Sequence, residues 1–328
     1  MNPSRSCCDW LCDVSPERKR CNAKEYSLMK AQEFIGVIPP LMSSFTPSGD
    51  IYEAGIREIV RFTLPHVNGY YPIGTYGCGP FMSVTERKRM LDIILDEVNG
   101  KIPVVAHVGA AGTNPMIDLA KHAKAAGAAG VGAISPYYAP NLPEENLYRH
   151  FASLFDAVND EEFPVFVYNN KHYSQNTITP NVLTRLAEYG LRGCKDSSFD
   201  LVNFFLFQDA VADYPDFNLI VGTEAIFMGA FDAGATGMVC GMGNIFPEIL
   251  AKMYTAYLTG KREQAMEIQR LILRIRAITK LGPTVPIMHA ILQMRGIDAG
   301  HSRSPFIDID EGTKTTVQQK LQELGLVE

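Results

Sequence analysis

The chain has 328 residues, 46% hydrophobic and 20% charged, which bounds it to one large globular domain or one and a half. A net charge of -6 with a pI near 5.7 gives no electrostatic footprint for nucleic acid or an anionic membrane. Apolar runs reach only about ten residues, far short of a span, and seven irregularly spaced cysteines argue against a disulfide framework and for a reducing, cytoplasmic compartment.

Residues 1–34 differ from the rest. Cys7, Cys8, Cys12 and Cys21 sit among Arg5, Arg18, Lys19 and Arg20, with the only tryptophan, Trp10. Two readings are open: a zinc or redox site, against which the lack of paired C-x2-C spacing counts, and a disordered extension. The stretch is too short and cysteine-broken for a secretory signal, and Met29 is a second candidate for the start of the protein.

From Gly36 the pattern is regular. Gly36–Met42, Tyr70–Thr75, Ile102–Val108, Gly130–Ser135, Phe163–Asn169, the run ending at Lys195, Asn218–Val221 and Gly237–Cys240 read as short apolar strands. Helical segments alternate with them, punctuated by the capping box Ser83-Val-Thr-Glu86, the first-turn proline Pro115, and the glycines Gly100, Gly127 and Gly190. Eight strand–helix pairs over roughly 220 residues predict a (β/α)8 TIM barrel across 35–245. The competing doubly wound sheet usually carries a glycine-rich phosphate turn after its first strand, and Ser43–Gly49 is not one. Residues 246–328 hold no strand candidate and read as amphipathic helices over Ile249–Leu258, Glu263–Lys280, Val285–Met294 and Thr313–Leu324, a C-terminal helical appendage.

A barrel of this kind places its chemistry at the carboxyl ends of the strands. There the sequence puts Thr75, Tyr76, His107, Tyr137, Tyr138, Tyr168, Asn169, Lys195, Ser197, Gly222 to Glu224, and Gly241 to Asn244. No His/Cys/Asp/Glu cluster suits a catalytic metal, and no Ser–His–Asp set or phosphate-binding loop is evident. Strand–helix–strand connection makes the strands of Tyr168 and Lys195 parallel, so a tyrosine and a lysine emerge at one edge, which suggests imine chemistry. Against that stand a solvated strand-end lysine, a tyrosine with a packed ring, and His107 as an interior histidine rather than a catalyst.

With these residues in hand, the chain resembles the N-acetylneuraminate lyase / dihydrodipicolinate synthase (DapA) family of pyruvate-dependent class I aldolases over about residues 34 to 328. Gly74-Thr75-Tyr76-Gly77 is similar to the family's carboxylate loop, Pro136-Tyr137-Tyr138 to its PYY segment, Tyr168-Asn169 to its YN tyrosine, and Gly193-Cys194-Lys195-Asp196 to its Schiff-base motif. The resemblance implies that Lys195 forms the imine, that Tyr168 moves the proton, and that Thr75 relays to Tyr138. It implies substrate contacts at Tyr76, Ser197, Gly222, Thr223, Glu224, Val239 and Gly241, no metal or organic cofactor, and a homotetramer in which the residue matching Tyr138 enters a neighbour's site.

Departures narrow the branch. Tyr173 stands where the synthases carry an arginine, which argues against a lysine-biosynthetic role, and Lys171-His172 replaces the expected proline region. Of the acidic pair with which sialic acid lyases hold the sugar tail, only Glu224 remains, before Ala225, and capping of a helix near Ile226 is an equal reading for it. Gly77–Pro80 with Ser83 is closer to the 2-keto-3-deoxygluconate aldolases. The expected activity is cleavage of a 4-hydroxy-2-oxo acid, derived from a sugar acid, into pyruvate and an aldehyde. The alternatives are a dehydratase of a 3-deoxy-2-oxo sugar acid on the same imine, and a non-catalytic sugar-acid-binding protein.

Overall fold

The computed structural model describes residues 34–160 and 162–328. The readings of the N-terminal cysteines and of Met29 lie outside the described residues. Seven strands form one parallel sheet: β1 (Gly36–Ile38), β2 (Val105–His107), β3 (Gly130–Ile134), β4 (Val165–Asn169), β5 (Gly193–Asp196), β6 (Asn218–Val221) and β7 (Gly237–Val239). Their order is β1-β7-β6-β5-β4-β3-β2, so β1 and β2 are the two edges.

The segment expected as the second strand is not a regular one. Pro72 has no N–H to donate and Ile73 turns to φ +64°, which stops the extended run. Its first residues still bond on both sides. The N–H groups of Asn68 and Tyr71 donate to Val37 and Pro39 beside β1, while Tyr70 exchanges with Pro103 and Val105, and His107 donates to Pro72. Both edges of the sheet thus meet the same stretch, as in an α/β fold of the TIM-barrel type.

Helices α1 (Glu53–Thr63), α2 (Val84–Val98), α3 (Thr113–Ala125), α4 (Glu144–Val158), the single turn α5 (Lys171–Ser174), α6 (Pro180–Tyr189), α7 (Leu201–Ala210) and α8 (Phe227–Asp232) alternate with the strands. The box at Ser83 forms as the sequence predicts: the Glu86 N–H donates to Ser83 Oγ and the Glu86 carboxylate accepts from the Ser83 N–H, opening α2. Beyond Phe246 the chain is helical, with α9 (Pro247–Leu258), α10 (Arg262–Ile278), α11 (Thr284–Met294) and α12 (Glu311–Glu323). No helix among the described residues is long and apolar enough to cross a membrane.

Strand alternation sorts side chains between two cores. One set packs outward under the helices. The other is a small separate cluster of Phe34, Ile38, Tyr71, Val105, Phe166, Ile220 and Val239, drawn from one side of the strands. Gly193 makes room for it, since a Cβ there would stand 2.3 Å from the Phe166 ring. Two residues further along β5, on the same face, is Lys195.

Candidate active site

Register places Tyr168 of β4, Lys195 of β5 and Ile220 of β6 side by side. Lys195 is buried, with its Nζ 3.8 Å from the centre of the Tyr168 ring and 4.7 Å from that of Tyr71. Burial penalises the ammonium and lowers its pKa from 10.5 to about 7. This is the direction expected for a lysine buried at the mouth of the sheet, here beside Ile220 on the next strand.

The Tyr168 phenol accepts from Asn170 Nδ2 at 2.8 Å and is within hydrogen-bonding reach of the hydroxyls of Thr75 and Ser197. Burial raises its pKa and these three contacts oppose the rise. Tyr168, Tyr71 and His107 form a triangle of edge-on and tilted rings with centroids 5.7–6.2 Å apart. Inside it, burial and the nearby charge of Arg87 hold the His107 pKa well below its ordinary range, so the imidazole is neutral. Its Nδ1 lies 3.2 Å from the Ile73 carbonyl, an interior anchoring role.

The loop carrying Lys195 is fixed by Asp196. Its carboxylate accepts from Asn169 Nδ2 at 2.7 Å and Ser198 Oγ at 2.6 Å, and its carbonyl accepts from the Gly222 N–H. Ser197 Oγ donates to the Gly222 carbonyl, and a Cβ on Gly222 would lie 1.9 Å from that hydroxyl and 2.9 Å from the Asp196 carbonyl, so a side chain there would displace Ser197. Opposite, Gly79 is required because a Cβ there would sit 1.9 Å from the Ile73 carbonyl. The turn this permits leaves the N–H groups of Thr75 and Tyr76 with no acceptor among the described residues. An isoleucine at φ +64° is a strained conformation held in place by its surroundings, at the spot where the loop meets the site.

Several predicted residues gather here: Lys195, Tyr168, Thr75, Ser197 and Gly222, with Val239 in the apolar floor. Tyr76 lies against Gly241, whose missing side chain its ring occupies. Thr223 turns its hydroxyl to the Ala225 N–H and caps the short turn that follows β6. Glu224 makes no cap; its buried carboxylate accepts from Arg276 of α10 at 3.0 Å. Tyr138 stands apart, 97% exposed and at φ +81°, with no contact to Thr75 inside the chain. Tyr71, Asn170 and Arg276 were missed by sequence reasoning. Tyr71 had a signal, since strand alternation in Tyr70-Tyr71 turns one ring outward to Thr63 and the other inward.

A sequence profile of the dihydrodipicolinate synthetase family matches residues 33–324. An uncharacterized DapA-like lyase of Halobacterium salinarum is 33% identical, covering 89% of this chain and 94% of its own. A 4-hydroxy-tetrahydrodipicolinate synthase of Methanopyrus kandleri is 32% identical over 89% of this chain and 97% of its own. Among solved structures, YagE, a prophage protein of the dihydrodipicolinic acid synthase family from E. coli K12 in complex with pyruvate, superposes with a TM-score of 0.85 at 26% identity, covering 89% of this chain and 99% of that one. A profile match over most of the length, with relatives above 30% identity that are spanned nearly end to end, establishes that the chain belongs to the dihydrodipicolinate synthetase family of pyruvate-dependent carbon–carbon lyases.

Proposed function

We propose that the seven strands and the 68–72 stretch make a closed (β/α)8 barrel with α9–α12 as its appendage, and that its mouth is the site of a Schiff-base aldolase. The substrate is a 4-hydroxy-2-oxo acid, derived from a sugar acid, and the products are pyruvate and an aldehyde. The observation that carries this reading is the buried lysine with a pKa of about 7, lying over the Tyr168 ring.

In this mechanism the neutral Lys195 amine attacks the C2 carbonyl, and loss of water with uptake of one proton leaves an iminium. The Tyr168 phenol, as it passes its own proton to the Thr75 hydroxyl, takes the proton of the 4-hydroxyl; the C3–C4 bond breaks, and its electron pair enters the iminium to give an enamine. Protonation at C3 and hydrolysis release pyruvate and restore the amine. Thr75, in reach of the Tyr168 oxygen, relays its proton, and Ser197, on the same oxygen, helps hold the ring in place. The substrate's C1 carboxylate is received by the unpaired N–H groups of Thr75 and Tyr76. The iminium is itself the electron sink, so the step as written calls on no metal or organic cofactor.

A second copy of the chain completes the site in this reading. A tyrosine that is almost fully exposed at a strained positive φ, as Tyr138 is, fits a residue delivered to a neighbour. A second contact is offered by α7, which is apolar on every side. Phe204 and Phe207 face the core, while Val202, Phe205 and Leu206 are exposed. Two self-complementary contacts of this kind build a dimer of dimers.

The test is release of pyruvate from a panel of 4-hydroxy-2-oxo acids, read by reduction of the pyruvate formed. Stoichiometric pyruvate supports the aldolase. A dehydrated 2-oxo acid formed without pyruvate would move the assignment to the dehydratase that shares the imine, and binding with no product would leave a sugar-acid-binding protein.

A further inference from the structure

Past the end of β6 the chain places a buried carboxylate, Glu224, four residues beyond the strand partner of Lys195. It is met by Arg276 from the last turn of α10, a residue of the C-terminal helices rather than of any strand-end loop. The guanidinium also lies 5.0 Å from the centre of the Phe199 ring. One of its N–H groups is used by Glu224, and no other hydrogen bond to that side chain is made among the described residues. A guanidinium has five donors in a planar fork, so this one, a quarter exposed, has further N–H groups to offer a ligand. Tyr76 ties this pair to the site: its buried phenol feels the charges of Glu224 and Arg276 as well as the phenols of Tyr168 and Tyr173.

The charge balance at this end is uneven. Lys280, close to both Arg276 and Glu224, donates to Thr284 Oγ1 at 2.9 Å and pairs with no carboxylate among the described residues. Two cations therefore share one anion beside a half-buried rim. A neutral polyol tail would leave that excess unanswered. A carboxylate would answer it and accept two parallel N–H bonds from the fork.

We propose that Arg276 is a specificity-determining residue, held in place by Glu224 and the Phe199 ring, and that it binds a carboxylate at the far end of the aldehyde half, making the substrate a 4-hydroxy-2-oxo diacid. The inference rests on the imine reading of Lys195. Glu224 is then the residue that positions Arg276, rather than the group that holds substrate hydroxyls.

The experiment uses the full chain and 2-oxo acids that lack the 4-hydroxyl, so that an imine forms and nothing is cleaved. Borohydride trapping is titrated with 2-oxo diacids of five to seven carbons and with the 2-oxo monoacids of the same lengths. For at least one length, the diacid is expected to half-saturate at a concentration at least about tenfold lower than its monoacid. Glu224→Gln with Arg276→Gln removes both charges together and leaves no orphan, and it should bring that ratio close to one. Arg276→Lys, which keeps a partner for Glu224 but loses the fork, should lower the ratio at least about threefold, and decides the matter if the double variant does not fold. A ratio near one in the parent at every length, or a parental ratio retained in Arg276→Lys, overturns the proposal. Trapping of no 2-oxo acid, pyruvate included, overturns the imine reading beneath it instead.

Discussion

Reductive trapping of pyruvate at a series of pH values reads the ionisation of Lys195 directly. Only the neutral amine attacks the carbonyl, so at low pyruvate the initial rate follows the fraction deprotonated. An amine of pKa 10.5 is neutral in about one molecule in 3000 at pH 7; at about 7, half the molecules are ready. The lowering corresponds to about 5 kcal/mol against the buried ammonium. The rings of Tyr71 and Tyr168 pull the other way, but by only about 0.5–2 kcal/mol. Desolvation by burial is the larger effect and decides the outcome. With cyanoborohydride as reductant, the rate should climb about tenfold per pH unit below pH 6.5 and flatten above about pH 8. A simple alkylamine run beside it should keep climbing to pH 10. If the protein's rate also rises tenfold per unit between pH 8 and 10, Lys195 is solvated and the reasoning from its burial fails.

Tyr168→Phe should retain the pyruvate adduct while kcat for pyruvate release falls by about 10²–10⁴, the usual scale of a lost acid–base group; loss of the adduct as well would assign the phenol to imine formation instead. Gly222→Ala forces a methyl against Ser197 Oγ and should lower stability by about 1–3 kcal/mol, with a lower kcat as Ser197 leaves the Tyr168 oxygen; an unchanged melting temperature and rate would show that the loop yields freely. Leu206→Asp on the exposed face of α7 should leave the fold intact by circular dichroism and shift the sedimenting species to a smaller one; an unchanged species would remove α7 from the assembly.

Much of the frame was legible because it rests on local chemistry. Apolar runs bounded by glycine and proline mark the strands, and Ser83 with Glu86 marks a helix start that the structure reproduces. Tyr168 and Lys195 sit one strand apart in register because a βαβ unit leaves them little alternative. The rest was hidden for physical reasons. A β-branched residue at positive φ, as at Ile73, has no sequence signature, so its stretch read as a plain strand. Arg276 reads as one more solvated charge on an amphipathic helix. Its contact with Glu224 spans 52 residues and depends on how α10 docks, which periodicity does not encode. The helix-cap reading of Glu224 weighed the nearest backbone, whereas a distant guanidinium took the carboxylate. Lys195 was legible as a buried, imine-forming lysine, but how far its pKa falls was not, because that depends on how completely side chains from other strands bury it.

The measurement closest to the central claim is mass mapping of the borohydride-reduced pyruvate adduct on the full chain. The account predicts one pyruvyl group per chain, carried on Lys195, and none in Lys195→Ala. An adduct that maps to exposed Lys171, or that persists in Lys195→Ala, would contradict it.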